Sequence, residues 1–326
     1  ELNGSNIDNH NVLSLDGYIF TFNGAGKSSK IADLDIQSDK QGSGIVVNNQ
    51  TFTIDSSNFY GNSFNDNNAI ITSNSGSLDI INSSFKNNTG WSGGAIANKG
   101  TGSLNMEKST VSQNKAYEGG GLYIVSGTTE ISDTNITENN STYRGGGIYF
   151  ANGTGSIKNS ILSNNTASIQ GGASYINGGA ISNSGSLIVS NSTFTCNNAV
   201  SGHGGAIEGG NSIQLYNTTF DKNTANYFGG AVSLMYADSV ISDCVFSNNE
   251  SQNERGGAMI IYGLNAEFKN SNIFNNNTAK TNGGAIYIGS DTTVNMSGTA
   301  QFINNTAKEG LGGALYIQGI MDINAD

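Results

Sequence analysis

A short word of two glycines, a small residue and an apolar residue recurs along the chain. Most successive copies are 25 to 29 residues apart, and one step of 33 residues separates Gly145 from Gly178. A nearly fixed period of this length is typical of repeat architectures, in which each repeat packs only on its neighbours. The nine copies begin at Gly93, Gly119, Gly145, Gly178, Gly204, Gly229, Gly256, Gly283 and Gly312.

A second word, an apolar residue followed three positions later by asparagine, keeps a constant phase with the first. An asparagine amide both donates and accepts hydrogen bonds, so at a turn it can bond to the backbone and to the asparagine of the next repeat. We therefore predict a structural ladder of asparagines. Its members are Asn88, Asn114, Asn139, Asn165, Asn197, Asn223, Asn249, Asn277 and Asn305.

The segments within one repeat are short and alternate with a period of two, as half-buried strands do. Examples are Leu78-Asp79-Ile80 and Ile286-Tyr287-Ile288, and clusters of Asn, Gly and Ser separate such segments. Three short strands and three turns per repeat, without a helix, predict an all-β, single-stranded parallel β-helix of about 11 coils. The absence of proline fits, because nearly every backbone N–H in such a stack bonds to a neighbouring coil.

The regular pattern is predicted to cover residues 42–326 as one repeat domain. Residues 1–41 are off the pattern and are interpreted as an N-terminal cap or as atypical first coils. The long step in the repeat predicts a seven-residue insertion around Ile169–Ile176. Loops that leave a rigid scaffold often carry function, although a tolerated insertion at a corner explains this segment equally well.

The composition excludes several classes of function. With 14 Lys and Arg and a net charge of -11, the chain is unsuited to neutralising nucleic-acid phosphates. No apolar run is long enough to predict a membrane span. Two cysteines and two histidines are too few for a disulfide scaffold or a Cys/His metal site, and we predict no metal, cofactor or catalytic residue. Cys196 and Cys244 fall in different parts of their coils and are predicted to be free, buried thiols.

Tyrosines recur at the outward position directly after the glycine word. Stacking between neighbouring coils would make them structural, whereas an exposed aromatic face would make them a binding surface. Smaller or polar residues interrupt this column at Ser182, Glu208 and Ser233. The tyrosines of the possible binding face are Tyr123, Tyr149, Tyr287 and Tyr316.

The carboxylates do not form a convincing catalytic group. Asp79 and Glu130 are predicted to share an outward column, two coils and roughly 10 Å apart, with no third carboxylate or cation beside them. Glu118 and Arg144 are predicted neighbours on consecutive coils, where a weak surface salt bridge explains them.

Several Asn-x-Ser/Thr sequons occur, and a secreted chain could be glycosylated at them. The possible acceptors are Asn82, Asn87, Asn191, Asn217, Asn276 and Asn304.

The alternating words, such as Gly283-Gly284-Ala285-Ile286 and Phe302-Ile303-Asn304-Asn305, resemble the polymorphic outer-membrane-protein repeat of chlamydial surface adhesins. The resemblance covers roughly residues 42–326. It implies a right-handed β-helix, secreted or at the cell surface, that mediates adhesion or self-association without catalysis. The implied partners are a surface protein or glycan of a host or neighbouring cell, or copies of the chain itself. A subunit that stacks end to end into an extracellular filament and a polysaccharide-active β-helix enzyme are the alternatives.

Overall fold

The computed structural model describes residues 2–3, 11–38, 40–64, 68–168 and 178–323, and within them the chain is all β-strand, turn and bend. Each sequence repeat forms one coil, and each coil lies on the previous one with its strands parallel. Leu78, for example, pairs with Leu104, the residue at the same position of the next repeat. The prediction of a parallel β-helix is therefore confirmed, whereas the predicted insertion at Ile169–Ile176 lies outside the described residues.

The strands form four ladders, and each ladder contains the strands from one position of the coil. Ladder 1 follows the glycine word: Ile19–Asn23, Gly44–Asn48, Ile71–Ser73, Ile96–Asn98, Leu122–Ile124, Ile148–Phe150, Ile181–Asn183, the first parts of Ile207–Tyr216 and Val232–Ser242, Met259–Tyr262, Ile286–Ile288 and Leu315–Ile317. Ladder 2 comes next: Leu2–Asn3, Ser28–Ala32, Gln50–Asp55, Gly76–Ile81, Ser103–Glu107, Thr128–Ser132, Thr154–Lys158, Ser186–Ser190, the second parts of Ile207–Tyr216 and Val232–Ser242, Asn265–Lys269, Thr293–Met296 and Ile320–Ile323.

Ladder 3 carries the phenylalanines: Asn11–Ser14, Leu34–Gln37, Asn58–Tyr60, Ser84–Lys86, Thr110–Ser112, Asn135–Thr137, Ile161–Ser163, Thr193–Thr195, Thr219–Asp221, Val245–Ser247, Ser271–Asn275 and Thr299–Ile303. Ladder 4 is short: Lys115–Glu118, Asn140–Arg144, Thr166–Ala167, Asn198–Ala199, Thr224–Ala225, Glu250–Ser251, Thr278–Ala279 and Thr306–Ala307. The prediction of three strands per coil missed ladder 4. Most of its strands have only two residues, and so short a strand shows no alternation.

Ladders 1 and 2 merge into one 23-stranded sheet, since Ile207–Tyr216 and Val232–Ser242 run through both. Ladder 3 is a 12-stranded sheet and ladder 4 an 8-stranded sheet. The twelve strands of ladder 3 give twelve coils, one more than the predicted eleven. Parallel pairing already joins Ile19–Asn23 to Gly44–Asn48, ahead of the first clear sequence repeat.

Burial follows the alternation that the sequence shows. In Ser103–Glu107, for example, Leu104 and Met106 point into the core while their neighbours are only partly covered. The core is one continuous apolar column along the stack. On ladder 3 the rings of Phe220 and Phe246 stack with centroids 4.8 Å apart, the spacing of parallel strands. Coil stacking therefore buries the apolar side of the repeats that have a neighbour on both sides.

The glycine word forms a corner at which the backbones of successive coils come very close. Gly119 has a φ of 61°, and a Cβ there would lie 2.1 Å from the carbonyl oxygen of Leu122. A Cβ on Gly120 would lie 2.1 Å from the carbonyl oxygen of Gly146 in the next coil. Both positions therefore require glycine, one for its conformation and both for space.

Candidate functional site

The asparagines of the second word lie inside the stack and bond to one another across the coils. The Nδ2 of Asn114 donates to the Oδ1 of Asn139 at 2.9 Å and to the carbonyl of Phe85 at 3.0 Å. The same Oδ1 of Asn139 also accepts the backbone N–H of Asn114 at 3.0 Å. The pattern repeats from Asn62 to Asn305. Between Asn88 and Asn277 each side chain both donates and accepts within the stack, so these residues serve the fold.

The tyrosine column is largely covered, and the expectation of an exposed position is wrong for two of its members. Tyr149 is 6% exposed and Tyr287 is 0% exposed. The cause is the turn before the glycine word, which folds over the outer side of ladder 1. There the guanidinium of Arg144 lies 5.5 Å from the centre of the Tyr149 ring, and that of Arg255 lies 5.0 Å from Tyr287.

The same tyrosines pack in pairs on consecutive coils. Tyr123 and Tyr149 have ring centroids 5.5 Å apart, and Tyr287 and Tyr316 have centroids 5.3 Å apart. Tyr123 and Tyr316 are half-buried. The column therefore presents ring edges at a few places and lacks a continuous exposed face.

An exposed aromatic stack lies instead two residues before the glycine word. Trp91 and Tyr117 are 46% and 39% exposed, and their rings stack 4.9 Å apart. Tyr143 continues the stack on the third consecutive coil, 5.5 Å from Tyr117. We call these three residues the aromatic stack. Its sequence signal is simple, because each aromatic residue stands two positions before a glycine word.

Arg144 ties the aromatic stack to the tyrosine column. Its Nη2 donates to the hydroxyl of Tyr143 at 3.2 Å and its Nη1 to the hydroxyl of Tyr149 at 2.7 Å. The predicted salt bridge with Glu118 is wrong: the two residues pair in register, but no ion pair within 4.0 Å joins them in the described chain. Burial raises the pKa of Glu118, and the nearby Arg144 charge only partly opposes that rise.

A cavity of about 340 Å³ opens where the tyrosine column is interrupted. Glu208 lines it and is 4% exposed; burial raises the pKa of this carboxyl to about 8, against a weaker opposing effect of the Ser182 hydroxyl. His203 lines the same cavity, and burial lowers its pKa to about 4. Titratable groups with strongly shifted pKa values in a cavity are candidate functional residues. Sequence reasoning placed Glu208 in the tyrosine column but gave no measure of its burial.

The carboxylates on ladder 2 stay apart, as the predicted column implies. Asp79, Asn105 and Glu130 pair on successive coils, and the Nδ2 of Asn105 donates to Asp79 at 2.7 Å. Asp238 and Glu267 line a separate cavity of about 460 Å³, where Glu267 is ion-paired with Lys269 at 2.9 Å. In the described ranges, no three or more His, Cys, Asp or Glu side chains converge as metal ligands would.

The sequon asparagines stand at exposed turns. All six have a positive φ, between 44° and 62°, a conformation that asparagine tolerates better than most residues. This preference explains why asparagine is frequent there without any role for glycans. Glycosylation at these six positions stays a prediction, which an intact-mass measurement on secreted protein would test. The acceptors are Asn82, Asn87, Asn191, Asn217, Asn276 and Asn304.

Both cysteines are free, but only Cys244 is buried, so the prediction for Cys196 is wrong. Cys196 occupies an outward turn position with a φ of 55°, the position that Asn164 takes one coil earlier. Burial raises the pKa of the Cys244 thiol to about 12. We expect Ellman's reagent to titrate one thiol in the native protein and both after denaturation. Two fast-reacting thiols in the native state would contradict this burial.

Stacked parallel coils, glycine corners and a buried asparagine ladder define a parallel β-helix. A family model for the right-handed beta helix region matches residues 19–194, more than half of the chain, and the protein belongs to that family. The Chlamydia polymorphic membrane protein repeat matches residues 217–234 and 273–289, which confirms the resemblance seen in the sequence. No curated protein and no solved structure matches the chain. No helix of the described part is long and apolar enough to cross a membrane.

Proposed function

We propose that this chain is a non-catalytic, adhesin-like rod at the cell surface, and that it attaches its cell to another surface through the aromatic stack. The repeats of the Chlamydia polymorphic membrane protein family support a place at the surface. The rod supports the role mechanically, because each coil is held by backbone bonds, stacked rings and the asparagine ladder.

The observation that carries the proposal is a stack of three aromatic rings on consecutive coils, in which Trp91 and Tyr117 are exposed and Tyr143 is half-buried. Large aromatic side chains dominate the binding energy of protein interfaces, together with arginine, and Arg144 lies beside them. Stacking already fixes these rings, so binding costs little side-chain entropy. The expected partner is a protein surface with an apolar patch that covers the ring edges.

We expect the triple variant Trp91→Ser/Tyr117→Ser/Tyr143→Ser to reduce attachment at least about tenfold, since such residues each contribute more than about 1 kcal/mol at an interface. Beads coated with purified protein, retained on cultured cell layers, give the measurement. The double variant Tyr18→Ser/Tyr60→Ser removes exposed tyrosines elsewhere and serves as the matched control.

Retention of the control beads at the wild-type level, with loss for the triple variant, supports the proposal. Equal retention of all three proteins would exclude the aromatic stack as the attachment surface. Sedimentation analysis of the same proteins separates attachment to cells from self-association. A wild-type oligomer that the triple variant dissociates would identify a second copy of the chain as the partner.

A further inference from the structure

The cavity beside Glu208 lies where the tyrosine column is interrupted. Along ladder 1, Tyr149 is followed on successive coils by Ser182, Glu208 and Ser233. Ser182 and Ser233 are both 0% exposed, so the cover over this face persists although the large rings are gone. Next to this interruption lies a cavity of about 340 Å³, within the range of small-ligand sites, and Glu208 is the member of the column that lines it.

The covering residue has changed together with the covered one. Arg144 lies over Tyr149, five residues further along the chain, and bonds to its hydroxyl. His203 and Glu208 hold the same two positions two glycine words later, and both line the cavity. His203 thus stands where Arg144 stands in the earlier coil, and Glu208 stands where Tyr149 stands. Both replacements are smaller, and both line the cavity with polar groups.

Both titratable groups of the cavity are uncharged near neutral pH. Glu208 accepts a hydrogen bond from the Ser182 hydroxyl at 3.2 Å and has no ion pair in the described chain. Since burial raises its pKa to about 8, it carries a proton that it can donate. His203, with a pKa lowered to about 4 by burial, is neutral and has one donating and one accepting nitrogen.

Met235 and Tyr236 form an apolar wall next to the opening of the cavity. Tyr236 is 64% exposed and has a φ of 57°, which is rare for so bulky a residue. Gly263 lets its ring lie on the next coil, because a Cβ there would be 2.5 Å from the ring. Asn211 completes the rim with a φ of 76°. The positive φ is costly for Tyr236, a bulky residue, and points to a function that maintains it, whereas asparagine tolerates the conformation at Asn211.

We propose that this cavity binds one uncharged sugar residue, with its hydroxyls toward Glu208 and His203 and its C–H face on Tyr236. Neutral donors and acceptors match hydroxyl groups, and an aromatic wall matches the apolar face of a pyranose ring.

The surroundings of Glu208 favour a ligand without charge. An anionic sugar would require the cavity to bury a second acid beside Glu208. A cationic amine would displace the Glu208 proton and form a buried ion pair. Ser182 and Ser233, which flank Glu208 on the neighbouring coils, carry no charge, and Arg144 is the cation that acts on it. An uncharged ligand leaves this balance undisturbed.

The test is a binding measurement with a panel of methyl glycosides of neutral hexoses, with glucosamine and glucuronic acid as charged counterparts. We expect at least one neutral glycoside to bind at least about tenfold more tightly than either charged sugar. Its affinity should stay constant between about pH 4 and 8. It should fall as the pH rises through about 8, because Glu208 then loses the proton that it donates. Neutral glycans on an array distinguish the end of a glycan chain from a free monosaccharide.

Three variants locate the site. Glu208→Gln keeps an uncharged donor and acceptor, so binding should remain within about threefold and lose its fall above pH 8. Glu208→Leu removes both and should weaken binding about tenfold or more. Tyr236→Ser should weaken it similarly, whereas Tyr18→Ser, at another exposed tyrosine, should not. Thermal melts of all variants confirm folding.

Tighter binding of glucosamine would show that the cavity selects a cation, and loss of neutral-sugar binding in Glu208→Gln would show that an uncharged donor and acceptor is not enough; either result would overturn the proposal. So would the absence of binding by every neutral glycoside and neutral glycan. The aromatic-stack variant should keep sugar binding, and Glu208→Leu should keep attachment to cells. Each of the two proposals can therefore be rejected without rejecting the other.

Discussion

Replacing Asn139 by alanine is expected to lower the free energy of unfolding by about 4 kcal/mol, measured by urea denaturation. Asn139 donates to the carbonyl of Val111 at 2.9 Å and to Asn165 at 3.1 Å. Its Oδ1 accepts the backbone N–H and the side-chain amide of Asn114. Alanine leaves these buried groups without partners, and each such loss costs about 1–3 kcal/mol.

Asn135→Ala in the same coil is the matched control. Asn135 is exposed on ladder 3, and substitutions at such positions change stability by about 0.5 kcal/mol or less. A small and equal effect of both variants would mean that the asparagine ladder contributes little to the stack. A large loss of stability in Asn139→Ala alone would show that the buried asparagine ladder stabilises the stack.

The variant Gly119→Ala is expected to destabilise the protein by about 4 kcal/mol, because no local shift can relieve a contact between a methyl group and backbone. The new Cβ would lie 2.1 Å from the carbonyl oxygen of Leu122, and 2.7 Å from its carbon. The corner must therefore open, which disturbs its bonds to the neighbouring coils. Thermal denaturation followed by circular dichroism near 218 nm measures the loss.

Gly61→Ala separates conformation from space. Gly61 has a φ of 68°, close to the 61° of Gly119, but a Cβ there would meet no atom within 4 Å. Its cost should be the conformational penalty alone, about 1 kcal/mol. Similar losses in the two variants would show that the close approach of coils at the glycine word has little effect on stability.

The coil and its period could be predicted from sequence because each of the two words marks a position that only one residue type fits. Only glycine fits the corner at Gly119, and an asparagine at the position of Asn139 bonds on both sides of its coil. Such constraints recur in most coils from Gly93 onward, so they appear as a pattern. The two-residue strands of ladder 4 left no such mark, and Thr166–Ala167 forms a strand only through its neighbours.

The candidate sites were harder to predict because they depend on what covers a residue. Alternation placed Tyr149 and Glu208 outward, which is correct for the strand, but the turn before the glycine word folds back over both. Conversely, Trp91 lies in a turn, and Tyr117 lies in the four-residue strand Lys115–Glu118, which is too short to reveal its alternation in the sequence. Cys196 was misplaced for the same reason.

The most direct test of the account is a set of electron–electron distances between spin labels on ladder 3. Lys86, Thr195 and Ile303 share one register position; four coil steps separate the first two and eight separate the first from the last. In a Cys196→Ser background we expect about 19 Å between labels at Lys86 and Thr195, and about 38 Å between labels at Lys86 and Ile303, at about 4.8 Å per coil. Distances that fail to grow with the number of coils would contradict a stack with one coil per repeat.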